Sequence, residues 1–378
     1  MSIRPFCQHE PGARRACIAI AAAGMWYVTA ASAGDSTDSG QSIFSLSGFG
    51  TLGVAHSSED RADFVSNTGS LVPDGAGHSR RWSFDVDSRV AAQLTADFDD
   101  RLSAVVQVIA EQQADDTYTP AVEWANVKYD FTPDFSVRVG RTILPAFLTS
   151  TYRKVGYANP WVRPPVEVYT LLPISNNDGV DAAYKLHTGD VTNTIETLYG
   201  QKDSKTVGGG TVRARDTWEI TDTLEYGDLT AHAAYHQVRL SLAEGIPFSP
   251  VKLFTLGASY DPGDWFVMGE FAANRSDAVG DSNGWYVTGG YRIGDFTPYV
   301  TYSRLDALSN PGLGFPPAGQ KNISAGVRWD FHKNFDLKLQ YEHIRLDAGS
   351  AGTLSDIQSD FQPGGTVNVT SVVVDFVF

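Results

Sequence analysis

Residues 82–98 read WSFDVDSRVAAQLTADF, and the alternation in that stretch decides the fold. Trp82, Phe84, Val86, Val90, Ala92, Leu94, Ala96 and Phe98 share one face of an extended chain. Ser83, Asp85, Asp87, Arg89, Gln93, Thr95 and Asp97 share the other. A period of two sustained over 17 residues marks a strand and not a helix. The run is also far longer than the roughly 5–6 residues of an ordinary soluble strand. An apolar face closed at both ends by aromatics fits a strand that crosses lipid between two interfacial girdles.

Working outward, the same pattern recurs. Strands are expected at 41–56, 82–98, 101–112, 121–131, 135–142, 179–187, 191–201, 215–226, 229–238, 252–261, 264–275, 284–293, 296–305, 321–331, 334–346 and 367–378. Tight Asp, Gly, Pro or Asn turns alternate with longer polar connections at 57–81, 113–120, 143–178, 202–214, 239–251, 276–283, 306–320 and 347–366. Strict short–long alternation predicts an all-β, 16-stranded antiparallel transmembrane β-barrel whose turns are tight at one end only. An even strand count returns both termini to that end. Phe378, Phe376, Val374 and Val372 share the outer face of the last strand, which places an aromatic girdle residue at the chain terminus.

The leader agrees with a membrane destination. Arg4, Arg14 and Arg15 precede an apolar stretch at 16–30, and Ala31-Ser32-Ala33 forms a small-residue cleavage site, so residues 1–33 are expected to be a signal peptide and 34–378 the barrel. The apolar stretch is shorter than the roughly 20 residues of a spanning helix. Both cysteines, Cys7 and Cys17, lie in the leader, which leaves the exported chain without disulfides, thiolate metal sites or a cysteine nucleophile. The formal charge of −15 argues against nucleic-acid binding, which depends on neutralising phosphates. A chain with no long apolar helix can enter lipid only as a closed barrel, because open sheet edges are excluded there.

One connection breaks the pattern. The stretch from Arg141 to Asp178 has no alternation and carries Pro145, Pro160, Pro164, Pro165 and Pro173. A structureless connection longer than about 15 residues is functional or disordered. Ile143, Leu144, Phe147, Trp161, Val166 and Leu172 make it too apolar for a tether. The expectation is a loop, residues 143–178, folded into the lumen so that it narrows a pore.

With these residues in place, the chain resembles the Gram-negative general porins of the 16-stranded class. The resemblance rests on the leader, on Ser47-Gly48-Phe49-Gly50-Thr51-Leu52-Gly53, on Val127-Lys128-Tyr129-Asp130-Phe131 leading to Val139-Gly140-Arg141, on Asn177-Asp178-Gly179-Val180, and on Phe378. It implies an outer-membrane homotrimer in contact with lipid and lipopolysaccharide. It further implies passive diffusion of ions and small solutes, a constriction formed by the third outer loop, and recognition of Phe378 by the barrel-assembly machinery. Here the loop is mainly cationic, where such loops often carry acids.

Rings of charge at the narrowest point set ion selectivity. The expected constriction residues are Arg89, Lys128 and Arg138 on the wall, Arg141 at the loop entrance, Arg153, Lys154 and Arg163 on the loop, and the opposing acids Glu111 and Glu167, with Asp85 and Asp87 as further acids. Arg292, Arg328 and Lys338 share lumen parity farther round. A cationic eyelet predicts anion preference despite the acidic total, since charges beyond a Debye length of about 8 Å are screened. Tyr152, Tyr157, Trp161 and Tyr169 read as loop-to-wall packing before a sugar track, and His232 and His236 as solvated lumen histidines before a metal site. No catalytic residue, metal or cofactor is expected. The alternatives are a sugar- or carboxylate-specific channel, a barrel enzyme and a soluble β-sandwich. An enzyme lacks a recognisable nucleophile–His pairing.

Overall fold

The computed structural model describes residues 42–68, 71–242, 244–277, 279–309 and 318–378; the expected signal peptide lies outside them. Sixteen long strands are described: β1 (Phe44–Ser57), β2 (Arg89–Asp97), β3 (Leu102–Glu111), β4 (Ala121–Thr132), β5 (Phe135–Ile143), β6 (Asn176–Thr188), β7 (Val191–Lys205), β8 (Thr211–Tyr226), β9 (Leu229–Ser241), β10 (Ser249–Tyr260), β11 (Trp265–Ser276), β12 (Ser282–Tyr291), β13 (Phe296–Ala307), β14 (Gln320–His332), β15 (Phe335–Leu346) and β16 (Thr366–Val377). Each pairs antiparallel with the next. The barrel closes where β1 meets β16, in register from Phe49↔Val377 to Ser57↔Val369.

The founding stretch is broken. Trp82–Ser83 pairs with the outer end of β1 and Arg89–Asp97 with its inner part, so residues 84–88 interrupt one line of strand. Ser88 explains the interruption: its hydroxyl accepts from Gly53 N at 3.0 Å and donates to Gly53 O at 3.3 Å, replacing the ladder bonds of β1 by a side chain. The slip also reverses Val86. Expected on the lipid face, it is 5% exposed in an apolar cluster with Ala55, Phe64 and Val166. A second departure lies in β7 and β8, which run on to Lys205 and back from Thr211, so most of the expected 202–214 loop is strand. A bulge where Asp216 has φ +49° resets the alternation there.

Burial is inverted relative to a soluble protein. Leu52 and Val139 on the outer face are 66% and 59% exposed, whereas Glu219 on the inner face is 0% exposed. The outer apolar band ends in rings at the tight-turn edge. Tyr129–Phe131 centroids are 4.8 Å apart, Phe131–Phe135 5.5 Å, Phe296–Trp329 5.7 Å and Phe335–Phe376 5.9 Å. The glycine-rich first strand has a packing reason: a Cβ at Gly48 or Gly50 would overlap the Phe378 or Phe376 ring. The terminal aromatics therefore lie across the seam that closes the barrel.

The interior is filled on one side. The connection between β5 and β6, residues 144–175, packs Leu144, Phe147, Trp161, Val168, Tyr169 and Leu172 against Leu253, Met268, Tyr286 and Tyr299 of the wall. A single helical turn, Val166–Tyr169, follows Pro164-Pro165, where proline fixes the approach to a helix start. The outer connections before β2 and after β15 close over this layer through Asp63 and Ser355, which exchange both backbone bonds at 2.8 Å. Inward side chains of β10–β16 are buried almost throughout. Those that keep partial exposure, among them Arg89, Gln93, Glu111, Lys128, Arg138 and Glu196, stand on β2–β7. Water therefore has its widest access to the lumen along that half of the wall.

Candidate pore constriction

The loop is fixed to the wall along its whole length. Its two ends meet where Leu144 N donates to Ser175 O at 3.0 Å. Thr255 of β10 then holds Ala146 O at 2.5 Å, and Glu270 of β11 accepts from Leu148 N at 2.8 Å and the Tyr169 hydroxyl at 3.0 Å. Trp161 donates its indole N–H to Thr288 of β12 at 2.9 Å. Glu167 takes bonds from Ser303 of β13 at 2.8 Å and Gln320 of β14 at 2.7 Å. Arg328 holds the Tyr157 carbonyl at 2.6 Å, and Lys338 holds that of Gly156 at 2.7 Å. At Gly156 a side chain would collide with Asp375 and Thr51, so the loop backbone itself rests on the seam.

The charged residues sort into three groups. Arg163 is an anchor: its guanidinium spans both oxygens of Asp87 at 2.8 and 2.6 Å, bonds Glu342 and the Ser371 hydroxyl, and lies 5.0 Å from the Phe64 ring centre. Burial works against its charge, but Asp87 and Glu342 outweigh that and hold its pKa above the ordinary arginine value. Its side chain is 3% exposed, so Arg163 braces the loop and does not face a water-filled eyelet. Glu167 is equally buried and has hydroxyl and amide donors in place of a cation, so burial pushes its carboxyl pKa up. Both were expected at the pore surface. The apolar loop carries them into the wall instead.

The second group faces the open half. Lys154 reaches Glu111 at 2.6 Å and Glu123 at 3.1 Å; burial opposes its charge, yet those two carboxylates raise its pKa. Arg89 stands 4.0 Å from Glu111. Arg153 is bound only to the carbonyls of Leu172 and Pro173, at 3.3 and 3.5 Å, and has no carboxylate partner among the described residues. Burial lowers its pKa, with Glu123 opposing the shift. The fold thus brings Arg89, Glu111, Arg153 and Lys154 together. Glu123 joins them unannounced by alternation, because it is the extra residue of a bulge.

The third group lies elsewhere. Lys128 pairs with Asp130 at 2.9 Å, and Arg138 with Asp181 at 2.6 Å and Glu196 at 3.1 Å, lower on the accessible wall. Arg141 bonds both oxygens of Asp178 at 2.6 and 2.8 Å. The β5–β6 register sets that pair on the face of Val139 and Val180, outside the lumen. Its expected place at the constriction is therefore not found, because Arg141 shares the outward parity of Val139. His232 and His236 are buried, not solvated; they bond Thr223 at 3.0 Å and Glu219 at 2.7 Å on a wall that the loop root at Pro145 shields. Arg292 is paired with Asp261 at 2.7 Å.

A profile of Gram-negative porins matches residues 16–349. No curated protein matches the chain. Among solved structures, Salmonella typhi OmpF in complex with daunomycin aligns with a TM-score of 0.59 at 16% identity, over 89% of this chain and 97% of that one. The anion-selective porin from Comamonas acidovorans gives 0.57 at 16% identity, over 89% and 100%. OmpT of Vibrio cholerae in its trimer form gives 0.52 at 13% identity, over 89% and 100%. At such identities the likeness is one of fold.

Proposed function

The chain belongs to the Gram-negative porin family, and we propose that it is a narrow, mildly anion-preferring channel for passive diffusion of ions and small hydrophilic solutes across the outer membrane. The observation that carries this reading is the loop seated inside the barrel with Arg153 unneutralised beside an accessible polar wall. Around that point Arg89, Arg153 and Lys154 face Glu111 and Glu123, which leaves an excess of one positive charge. The remaining loop cation, Arg163, is buried between Asp87 and Glu342 and adds no positive charge to the path, so the preference is modest. The half-filled interior favours small solutes over large ones. A path through the protein needs no catalytic group, and the buried histidines are engaged with Thr223 and Glu219.

Homotrimeric assembly belongs to the same proposal. The outer faces of β3 to β6 carry Ala104, Val106, Ala125, Val127, Val139 and Ala182, a smooth sector suited to packing against another copy. Export through residues 1–33, contact of the acidic Asp115-Asp116 turn with lipopolysaccharide through divalent ions, and recognition of Phe378 by the assembly machinery complete the reading. Planar-bilayer recording of the isolated chain tests it. Stepwise conductance with a reversal potential displaced toward the anion side is expected. A correctly folded barrel that conducts nothing would overturn the channel, and cation preference would overturn the charge assignment.

A further inference from the structure

The outward face of the barrel carries cations where its strands meet the long connections. Lys252 stands near the start of β10 and Arg275 near the end of β11; Lys321 stands near the start of β14 and Arg345 near the end of β15. Their strand neighbours Val251, Leu253, Asn274, Gln320, Ile344 and Leu346 are buried, so alternation turns these four side chains away from the lumen. The register sets Lys252 directly opposite Arg275, and Lys321 directly opposite Arg345.

Like charges directly opposite one another on adjacent strands are destabilising. Other cations on the same rim are neutralised within the chain. Arg304 of β13 bonds Asp306 at 2.7 Å and both oxygens of Asp347 at 2.8 Å, while Arg215 and Arg239 pair with Asp203 and Asp216. The two opposed pairs are not neutralised. Arg275 meets only the carbonyls of Asn274 and Ser282, at 2.7 and 3.1 Å, and none of the four has a carboxylate partner among the described residues. The chain keeps two unfavourable juxtapositions at its surface and answers neither from within.

Their position says what would answer them. Phe254 and Ile323 share the outward face, two residues nearer the tight-turn edge, and both are exposed. The pairs thus stand just beyond the apolar band, at the height of lipid headgroups. In the sector assigned to packing against another copy, the outward cation Arg141 is instead bound to both Asp178 oxygens, so the unanswered charge faces lipid. Basic side chains at a membrane surface attract anionic headgroups, and a guanidinium beside an ammonium offers one phosphate several charge-assisted donors.

We propose that Lys252–Arg275 and Lys321–Arg345 are two seats for the phosphate groups of an outer-leaflet glycolipid, bound directly and without a bridging divalent ion. The seats are four strands apart, about 19 Å at the ordinary strand spacing, so each takes its own lipid. The proposal rests on the outer-membrane reading of the barrel, and it adds which face holds the lipid and by which side chains.

Native mass spectrometry of the full barrel in detergent counts bound lipid without requiring conduction. The probe is lipid A, a diphosphorylated and acylated glucosamine disaccharide, with EDTA present to silence metal bridging. Wild type should retain two molecules. Lys321→Gln with Arg345→Gln should lose one and Lys252→Gln with Arg275→Gln the other, each seat weakening roughly thirtyfold for two basic side chains near an anionic surface. Thermal unfolding supplies a sign that a merely structural role would not. In detergent alone each double variant should be at least as stable as wild type, because a like-charge contact has gone, and in lipid A it should gain less. No lipid retained in EDTA, or unchanged retention in both double variants, overturns the seats. Displacement of lipid A by an equimolar amount of inorganic phosphate would make the pairs sites for the free ion and overturn the lipid assignment. Bilayer recordings separate this proposal from the channel, since the four residues lie outside the lumen and the variants should conduct as wild type does. A barrel that retains lipid A at these pairs but conducts nothing keeps the seats and loses the channel; one that conducts and retains no lipid does the reverse.

Discussion

Replacing Arg163 by Met removes the cation that joins the loop to two distant parts of the barrel. Asp87 and Glu342 would be left 1% and 4% exposed with their shared partner gone. Removing one member of a buried ion pair costs about 3–5 kcal/mol, because the remaining charge stays desolvated. The Met side chain matches the aliphatic length of Arg and keeps contact with Phe64, so the loss is electrostatic and not a cavity. The other anchors, at Trp161, Glu167, Gly156 and Leu148, still favour seating, but the lifted state gains by the same 3–5 kcal/mol. That corresponds to roughly a 150- to 5,000-fold larger lifted population, at 1.36 kcal/mol per factor of ten. Trypsin reads this population at the Arg153–Lys154 bonds when lifting is fast relative to cleavage. Fragments should be mapped by mass, since the outer connections carry trypsin sites of their own. Cleavage at 153–154 should rise by at least a hundredfold in Arg163→Met, and the added change Asp87→Asn should recover part of the protection. If cleavage in Arg163→Met stays within about threefold of wild type, the triad does not hold the loop and the reasoning fails.

Three further outcomes are expected. Glu167 is buried without a cation and its pKa is raised above the ordinary 4.5, so its contribution is complete below that value and declines as pH rises toward the native one. Hydrogen exchange of residues 144–175, corrected for intrinsic rates, should therefore speed up on going from about pH 4 to neutrality, and Glu167→Gln should abolish the change. Arg153→Gln should reduce the anion-over-cation permeability ratio by roughly tenfold, because one unit charge at about 6 Å in a water-like dielectric is worth about 0.7 kcal/mol to each ion, with opposite sign for the two. Lys128→Gln, which removes a charge already paired with Asp130 lower on the wall, should shift the reversal potential less. Gly48→Ala should destabilise the closed barrel by about 1–3 kcal/mol of overpacking against Phe378, seen as a lower temperature for loss of the compact form in detergent gels.

The sixteen strands were legible because a membrane barrel writes its fold as alternation, and lipid tolerates few exceptions. The reading failed where a side chain or a bulge interrupts the ladder. Ser88 substitutes for backbone bonds, so Val86 turns inward, and Asp216 resets parity in β8. The first shifts the register on β1 by two residues and leaves the flanking parity unchanged, and the second shifts it by one; a period-2 reading locates neither. The loop was legible as a folded segment from its proline and apolar content. The roles of its charges were not, because pairing depends on which wall position each one reaches. Arg163 finds Asp87 and Glu342 from 76 and 179 residues away. Arg153, one residue from a doubly paired Lys154, finds only carbonyls.

The seating of the loop also orders events in time. Gly156 is held by Lys338, 182 residues later, and Arg163 by Ser371, 208 residues later. Contacts of such separation form late, since the intervening chain must first be brought together. The surface that receives the loop is complete only when β16 has met β1. A nascent barrel must therefore pass through a stage in which the wall stands and the constriction does not. Narrowness becomes a certificate of completed assembly: a chain that has lost its last strand forfeits Asp375 and Ser371, and with them the means to restrict its own opening.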